Sequence, residues 1–80
     1  MLLFFMKYNH ILDAKHLLCP IPILKAKKIL KDMDQGEILL VLTTDPSSVG
    51  DFKLFAKQTN CVLLECQQDN EEYKFYIEKT

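Results

Sequence analysis

Residues 37–44, EILLVLTT, are apolar at almost every position between the leading glutamate and the closing threonines. A strand with one wet face alternates, whereas a run apolar on both faces needs strand neighbours and cover on at least one side. In a chain of 80 residues this places the segment inside one small sheet, because a chain this short buries only about 60% of the surface its unfolded form exposes. With 49% hydrophobic and 26% charged residues, two glycines and no repeat or low-complexity tract, the chain reads as one ordered domain over residues 1–80.

The other segments supply the neighbours. KYNHILDA, residues 7–14, alternates loosely, with Tyr8, His10 and Leu12 on one side and Ile11 on the other, as in a short first strand. From Pro20 or Pro22 to Met33, the residues Ile23, Ala26, Ile29, Leu30 and Met33 recur at helical spacing, while Lys25, Lys27, Lys28 and Lys31 take the remaining arc. Gly36 suits the left-handed conformation just past a helix end. Asp45-Pro46 marks the start of a second helix, with Val49, Phe52, Phe55, Ala56 and Thr59 on one side and Asn60 as its left-handed cap. CVLLECQ and YKFYIEK are two further strands joined by the polar turn QDNEE. In the last strand Tyr73, Phe75 and Ile77 should face inward, and Lys74, Tyr76 and Glu78 outward. Cys66, in phase with Val62 and Leu64, is expected in the core.

Each helix has a single apolar face. The fold class is therefore α+β: a two-layer α/β sandwich of βαβαββ order, with a four-stranded mixed sheet and both helices on one face. The sheet's other face is left to water or to a partner.

Ten basic and eleven acidic residues give a net charge of −1, and no aromatic cluster is interleaved with basic side chains. Direct nucleic-acid binding is not expected. Three cysteines without dense spacing, Cys19, Cys61 and Cys66, favour free thiols and a cytoplasmic setting. A zinc site built from the three cysteines with His10 and His16 is not the expected reading, and no metal is expected. The opening MLLFFMK has its lysine after too short an apolar run for a signal peptide or a membrane span. Residues 1–6 stand as a candidate N-terminal extension, with Met6 an alternative start that the N-terminal mass of the native protein would decide.

The stretch CPIP places a thiol where a helix begins. Proline fits the first turn because its missing N–H would have no intrahelical partner there and its φ is already helical. Pro22 disfavours helical angles at Ile21, so the helix opens at Pro20 or Pro22, with Cys19 at the N-cap or just before it. A helix N-terminus favours a thiolate, although the effect fades within a turn and two prolines remove two donors. Lys25 and Lys27 would add positive potential if their side chains fold back. A free cysteine is commonly a small buried hydrophobe, but a proline-fixed boundary is where side chains are accessible, and Cys19 is the candidate reactive group. Cys61 and Cys66 read as structural. His16, three residues upstream, is near enough to serve as a base, though a loop histidine is the commoner reading.

The residues LDAKHLLCPIPILKAKKILKDMDQGEILLVLTTDP resemble the TusA family (the TusA, SirA and YedF group), which shares an LDxxGLxCPxP stretch, a helix, a PGE-like turn, an apolar strand and an Asp-Pro before the second helix. The resemblance implies a sulfur carrier. Cys19 would accept a sulfane sulfur from the persulfide of a cysteine desulfurase and pass it to a downstream sulfur-relay protein, with tRNA wobble-uridine 2-thiolation as the leading destination. Molybdenum-cofactor synthesis is another. No cofactor is implied. Pro20, Pro22, Asp13, Asp45, Pro46 and Asp51 match the pattern, with Asp13, Asp45 and Asp51 expected to shape the site. His16 and Leu18 depart from it, standing where the family has glycine and, in many members, arginine.

Two other readings compete. A non-catalytic regulatory or interaction module would keep the fold and use Lys25, Lys27 and Lys28 to bind an acidic partner. A thiol redox protein is weaker, because Cys19 has no resolving cysteine in a C-x-x-C arrangement.

Overall fold

The computed structural model describes residues 7–80, so what was expected of residues 1–6 lies outside the described residues. Six elements follow one another: β1 (His10–Asp13), α1 (Ile21–Lys31), β2 (Ile38–Thr43), α2 (Ser48–Thr59), β3 (Val62–Asp69) and β4 (Glu72–Glu78). The sheet order is β1-β2-β4-β3, with β1 and β2 parallel and the other pairs antiparallel. The apolar run is an interior strand, as its composition requires.

Register explains how the core forms. Leu39, Val41 and Thr43 of β2 stand opposite Ile77, Phe75 and Tyr73 of β4, so all six share one face. They are at most 9% exposed. The apolar residues join one cluster with Ala26 and Leu30 of α1, Met33 beyond it, and Phe52 and Phe55 of α2. Both helices therefore cover the same face. Phe52 stacks on Phe75 with ring centroids 4.7 Å apart and meets Phe55 edge-on at 6.1 Å, within the favourable range for aromatic pairs.

Several boundaries differ from the sequence expectation. β1 is limited to the four residues that pair with β2. α1 ends at Lys31, and the N–H groups of Asp32 and Met33 reach back to the carbonyls of Ile29 and Leu30, a tightened last turn. Gly36 does not cap that helix. At φ 89° it sits in the turn into β2, where its N–H donates to the Lys79 carbonyl at 2.7 Å. Asn60, at φ 60°, does close α2 in the left-handed conformation. β3 and β4 run into QDNEE, leaving only Asn70 and Glu71 between them.

Cys66 is exposed, not core. The register of β3 against β4 shifts between Leu63 and Glu65, and an extra residue in a strand reverses the facing of those beyond it. Val62 pairs with Glu78 on the outer face, whereas Cys66 pairs with Phe75 on the helix face of the edge strand. Tyr76 does face away from the helices, opposite Leu40. These two are nevertheless only 8% and 5% exposed, so the middle of the outer face is shielded.

Phe52→Ala should cost about 3–5 kcal/mol, because it removes a fully buried ring and leaves a cavity between α2 and the sheet. Equilibrium urea unfolding measures it.

Candidate functional site

The site forms beyond the carboxyl ends of the parallel strands β1 and β2, where each chain turns into a helix. Such an end commonly hosts function in α/β sheets. Ala14, fully buried, donates its N–H to the Leu42 carbonyl at 2.8 Å and extends the pairing one residue past β1. Asp13 then accepts the Lys15 N–H on Oδ1 at 3.1 Å. His16 takes a left-handed φ of 68°, and its N–H donates to Thr44 Oγ1 at 2.9 Å. The chain is thereby turned toward α1. Pro20 is the N-cap, Pro22 is buried in the first turn, and the Cys19–Pro20 peptide bond is cis.

A second loop, from β2 to α2, meets this turn. Ser48 Oγ donates to the Asp45 carbonyl at 2.6 Å, which uses its only proton, so the buried Thr43 hydroxyl must be the donor in its 2.7 Å contact with Ser48. Asp45 Oδ1 accepts from Ser47 N–H at 3.0 Å and Ser47 Oγ at 2.9 Å. Its Oδ2 accepts the Cys19 N–H at 3.2 Å. One carboxylate thus joins the starts of both helices. Asp51, in the first turn of α2, accepts a hydrogen bond from Cys19 Sγ on its Oδ2.

Cys19 is exposed. Beside it and Asp51 lies a shallow cleft of about 210 Å³, walled by Pro20, Ile23, Leu54 and Phe55. The electrostatics differ from the sequence expectation. The Asp51 carboxylate, first as hydrogen-bond acceptor and also as a negative charge, holds the Cys19 thiol above its ordinary pKa; Asp45 adds to this, and the Ser47 hydroxyl opposes it. The helix start contributes little because Pro20 and Pro22 have no N–H and that of Ile21 is taken by the Leu18 carbonyl at 2.9 Å. Asp45 is held below the usual carboxylate range by the N–H groups of Ser47 and Cys19 and the Ser47 hydroxyl.

Cys19, Pro20, Asp45 and Asp51 are brought together. Asp13 shapes the turn that leads to them and Pro22 anchors the helix start. Lys25, Lys27 and Lys28 are exposed on α1, and Lys27 and Lys28 line a separate groove of about 450 Å³ with Leu24, Lys31, Phe55 and Lys79. Thr43, Thr44, Ser47 and Ser48 were not singled out from sequence. The signal for the serines was an Asp followed two and three residues on by hydroxyl side chains, a pattern suited to closing a turn. Among the described residues no three His, Cys, Asp or Glu side chains converge as metal ligands would, and no helix is long and apolar enough to cross a membrane.

His16 occupies the position where the family resemblance placed glycine, and its φ of 68° is one that glycine adopts without strain. His16→Gly should stabilise the fold by about 0.5–1 kcal/mol, the left-handed cost of about 1–2 kcal/mol being partly offset by glycine's freedom in the unfolded chain. Urea denaturation checks the sign.

A sequence model described as Sulfurtransferase TusA matches residues 10–79. The sulfur carrier protein TusA of Allochromatium vinosum is 47% identical over 73 residues, covering 91% of this chain and 96% of that protein. The sulfur carrier protein TusA of Buchnera aphidicola is 35% identical over 72 residues, covering 90% and 91%. Among solved structures, a SirA-like protein from Desulfitobacterium hafniense superposes with a TM-score of 0.79 at 26% identity, covering 88% of this chain and 96% of that one. With its helix–sheet order, its CPxP cysteine and this similarity along nearly all of its described length, the chain belongs to the TusA family of sulfur carriers.

Proposed function

We propose that Cys19 accepts a sulfane sulfur from the persulfide of a cysteine desulfurase and relays it to a downstream sulfur-relay protein, with 2-thiolation of the tRNA wobble uridine as the destination. The observation that carries this reading is the placement of Cys19: an exposed thiol at a proline-built helix start, beside an open cleft. A thiol at such a boundary can meet a partner's persulfide directly. Apolar side chains next to it suit contact with a protein surface, Leu18 and Ile21 being 71% and 41% exposed and Leu54 across the cleft 54%. A charge near zero agrees with a carrier that hands sulfur to a protein and leaves the tRNA to others.

Incubation of the reduced protein with an active cysteine desulfurase and cysteine should add about 32 Da, one sulfur atom, to the intact mass. Cys19→Ser should gain none. Uptake by that variant equal to the wild type would remove Cys19 from the acceptor role. Loss of 2-thiouridine from tRNA digests of a strain lacking the protein would support the destination.

Lys25, Lys27 and Lys28 supply the second contact in this reading, attracting an acidic surface on the donor or acceptor. One observation favours giving them a binding role of their own: Lys27 and Lys28, with Lys31 and Lys79, rim an apolar groove that Cys19 does not line and that shares Phe55 with the cleft beside the thiol. Reversing Lys25, Lys27 and Lys28 to glutamate should slow loading by the desulfurase about tenfold at low salt, with the difference shrinking as ionic strength rises. Loading by a small persulfide should not change. Equal slowing with both sulfur sources would deny the lysines a docking role.

A further inference from the structure

We infer that Asp51 is a catalytic residue of sulfur transfer, its carboxylate relaying the Sγ proton of Cys19 to the departing donor as that sulfur attacks, and relaying an acceptor's proton to Cys19 as the sulfur is released. This rests on the reading of Cys19 as the sulfur acceptor. Asp51 touches the reacting atom: its Oδ2 already accepts the hydrogen bond from Cys19 Sγ. It is held by the first turn of α2, where its N–H donates to the Ser47 carbonyl at 3.2 Å, and the next residue, Phe52, is fully buried against the sheet. A base fixed on a packed helix keeps its position through the reaction.

The surroundings leave this role to Asp51 among the described residues. From the β2–α2 loop, Asp45 has both oxygens engaged by Ser47 and the Cys19 N–H. From α1, Pro20 and Ile23 have no titratable group, and the α2 residues Leu54, Phe55 and Gln58 complete the cleft without one. His16 does not line the cleft. It borders a different depression with Lys15, Thr44 and Glu72.

The step balances without an oxidant or reductant. Cys19 Sγ forms a bond to the outer sulfur of a protonated donor persulfide, and the donor's sulfur–sulfur bond breaks. The Sγ proton passes through the Asp51 carboxylate to the departing donor thiolate, giving a Cys19 persulfide and a donor thiol. Release is the reverse: an acceptor thiol gives its proton to the Asp51 carboxylate as its sulfur takes the outer sulfur, and the Cys19 thiolate leaves and receives that proton. A thiolate of high pKa leaves slowly unless it is protonated, so a carboxylate beside Cys19 that only held the proton would obstruct the second half of the relay.

The test separates proton transfer from simple suppression of the thiolate. Wild type, Asp51→Asn, Asp51→Ser and Asp51→Glu, each checked by circular dichroism, are reacted at pH 7 with iodoacetamide or with glutathione persulfide, and Cys19 is read by peptide mass after alkylation. Alkylation needs only the thiolate. In the neutral variants a lower thiol pKa should raise it about threefold per unit, a tenfold thiolate gain being partly cancelled by lower nucleophilicity. Persulfide loading should instead fall about tenfold or more in both neutral variants, as expected for loss of a general base. Glutamate should restore it to within about threefold of wild type. Loading that rises with alkylation, loading that stays constant, or failure of glutamate to improve on asparagine would overturn the role of Asp51. Wild-type protein that takes up no sulfur from glutathione persulfide would overturn the acceptor reading itself, and this inference with it.

Discussion

Asp45 is the constraint on which the functional end of the molecule depends. Its two carboxylate oxygens serve two different helix starts, one through Ser47 and the other through the Cys19 N–H. Hydrogen bonds to a charged acceptor are worth roughly twice those between neutral groups, so the two loops are held in one arrangement. The Thr43 to Ser48 to Asp45 chain then anchors that carboxylate's own backbone to the fully buried end of β2. The thiol is placed by a route that begins in the core: strand β2, a hydroxyl pair, a carbonyl, a carboxylate, and finally the amide of the cysteine. Because β1 and β2 are parallel, the loops leaving them emerge at the same end of the sheet and can meet at all.

Much of the fold was legible because hydrophobic period and burial agree. The apolar stripe Ala26, Leu30 and Met33 and the pair Phe52 and Phe55 are the buried residues they were expected to be. The CPIP stretch located the start of α1 but not its first residue: the helix opens at Ile21 with Pro20 as cap, between the two prolines expected to open it and in spite of the restriction Pro22 places on Ile21. What was not legible is that Cys66 leaves the phase of Val62, facing the helix side of an edge strand where it stays exposed. Alternation assumes an unbroken period of two, and the register shift near Leu64 breaks it with no glycine or proline to mark the place. Gly36 was assigned to a helix end because its left-handed φ serves equally in a strand-entry turn. Sequence spacing does not distinguish these uses.

At the site, residue identities were legible and their electrostatics were not. Cys19, Asp45 and Asp51 stood out in the sequence, but they lie 26 and 32 positions apart in chain number, and only the parallel crossover shows that they meet. Reasoning from the helix dipole alone led to an activated thiolate. A helix start activates a thiolate through its free N–H groups, and the prolines that mark the position also remove them. What the thiol meets instead is a carboxylate on the other helix.

This reversal has a physical logic for a group that must both gain and lose a sulfur. A low-pKa thiol ionises readily and is a good leaving group, but its thiolate is a weaker nucleophile; a high-pKa thiol has the opposite properties. No single fixed pKa favours loading and release together. A thiol kept protonated against a neighbouring carboxylate avoids the choice, provided the proton can move off as the sulfur–sulfur bond forms and back as it breaks. The resting protein then presents little free thiolate to adventitious oxidants and electrophiles despite the exposure of Cys19. In this reading the proton moves when a donor, small or protein-borne, brings a sulfur into line with Sγ. A protein donor that covered the cleft would also exclude water, which would strengthen the interaction of Asp51 with the moving proton and tie docking to activation of the thiol under the proposed relay.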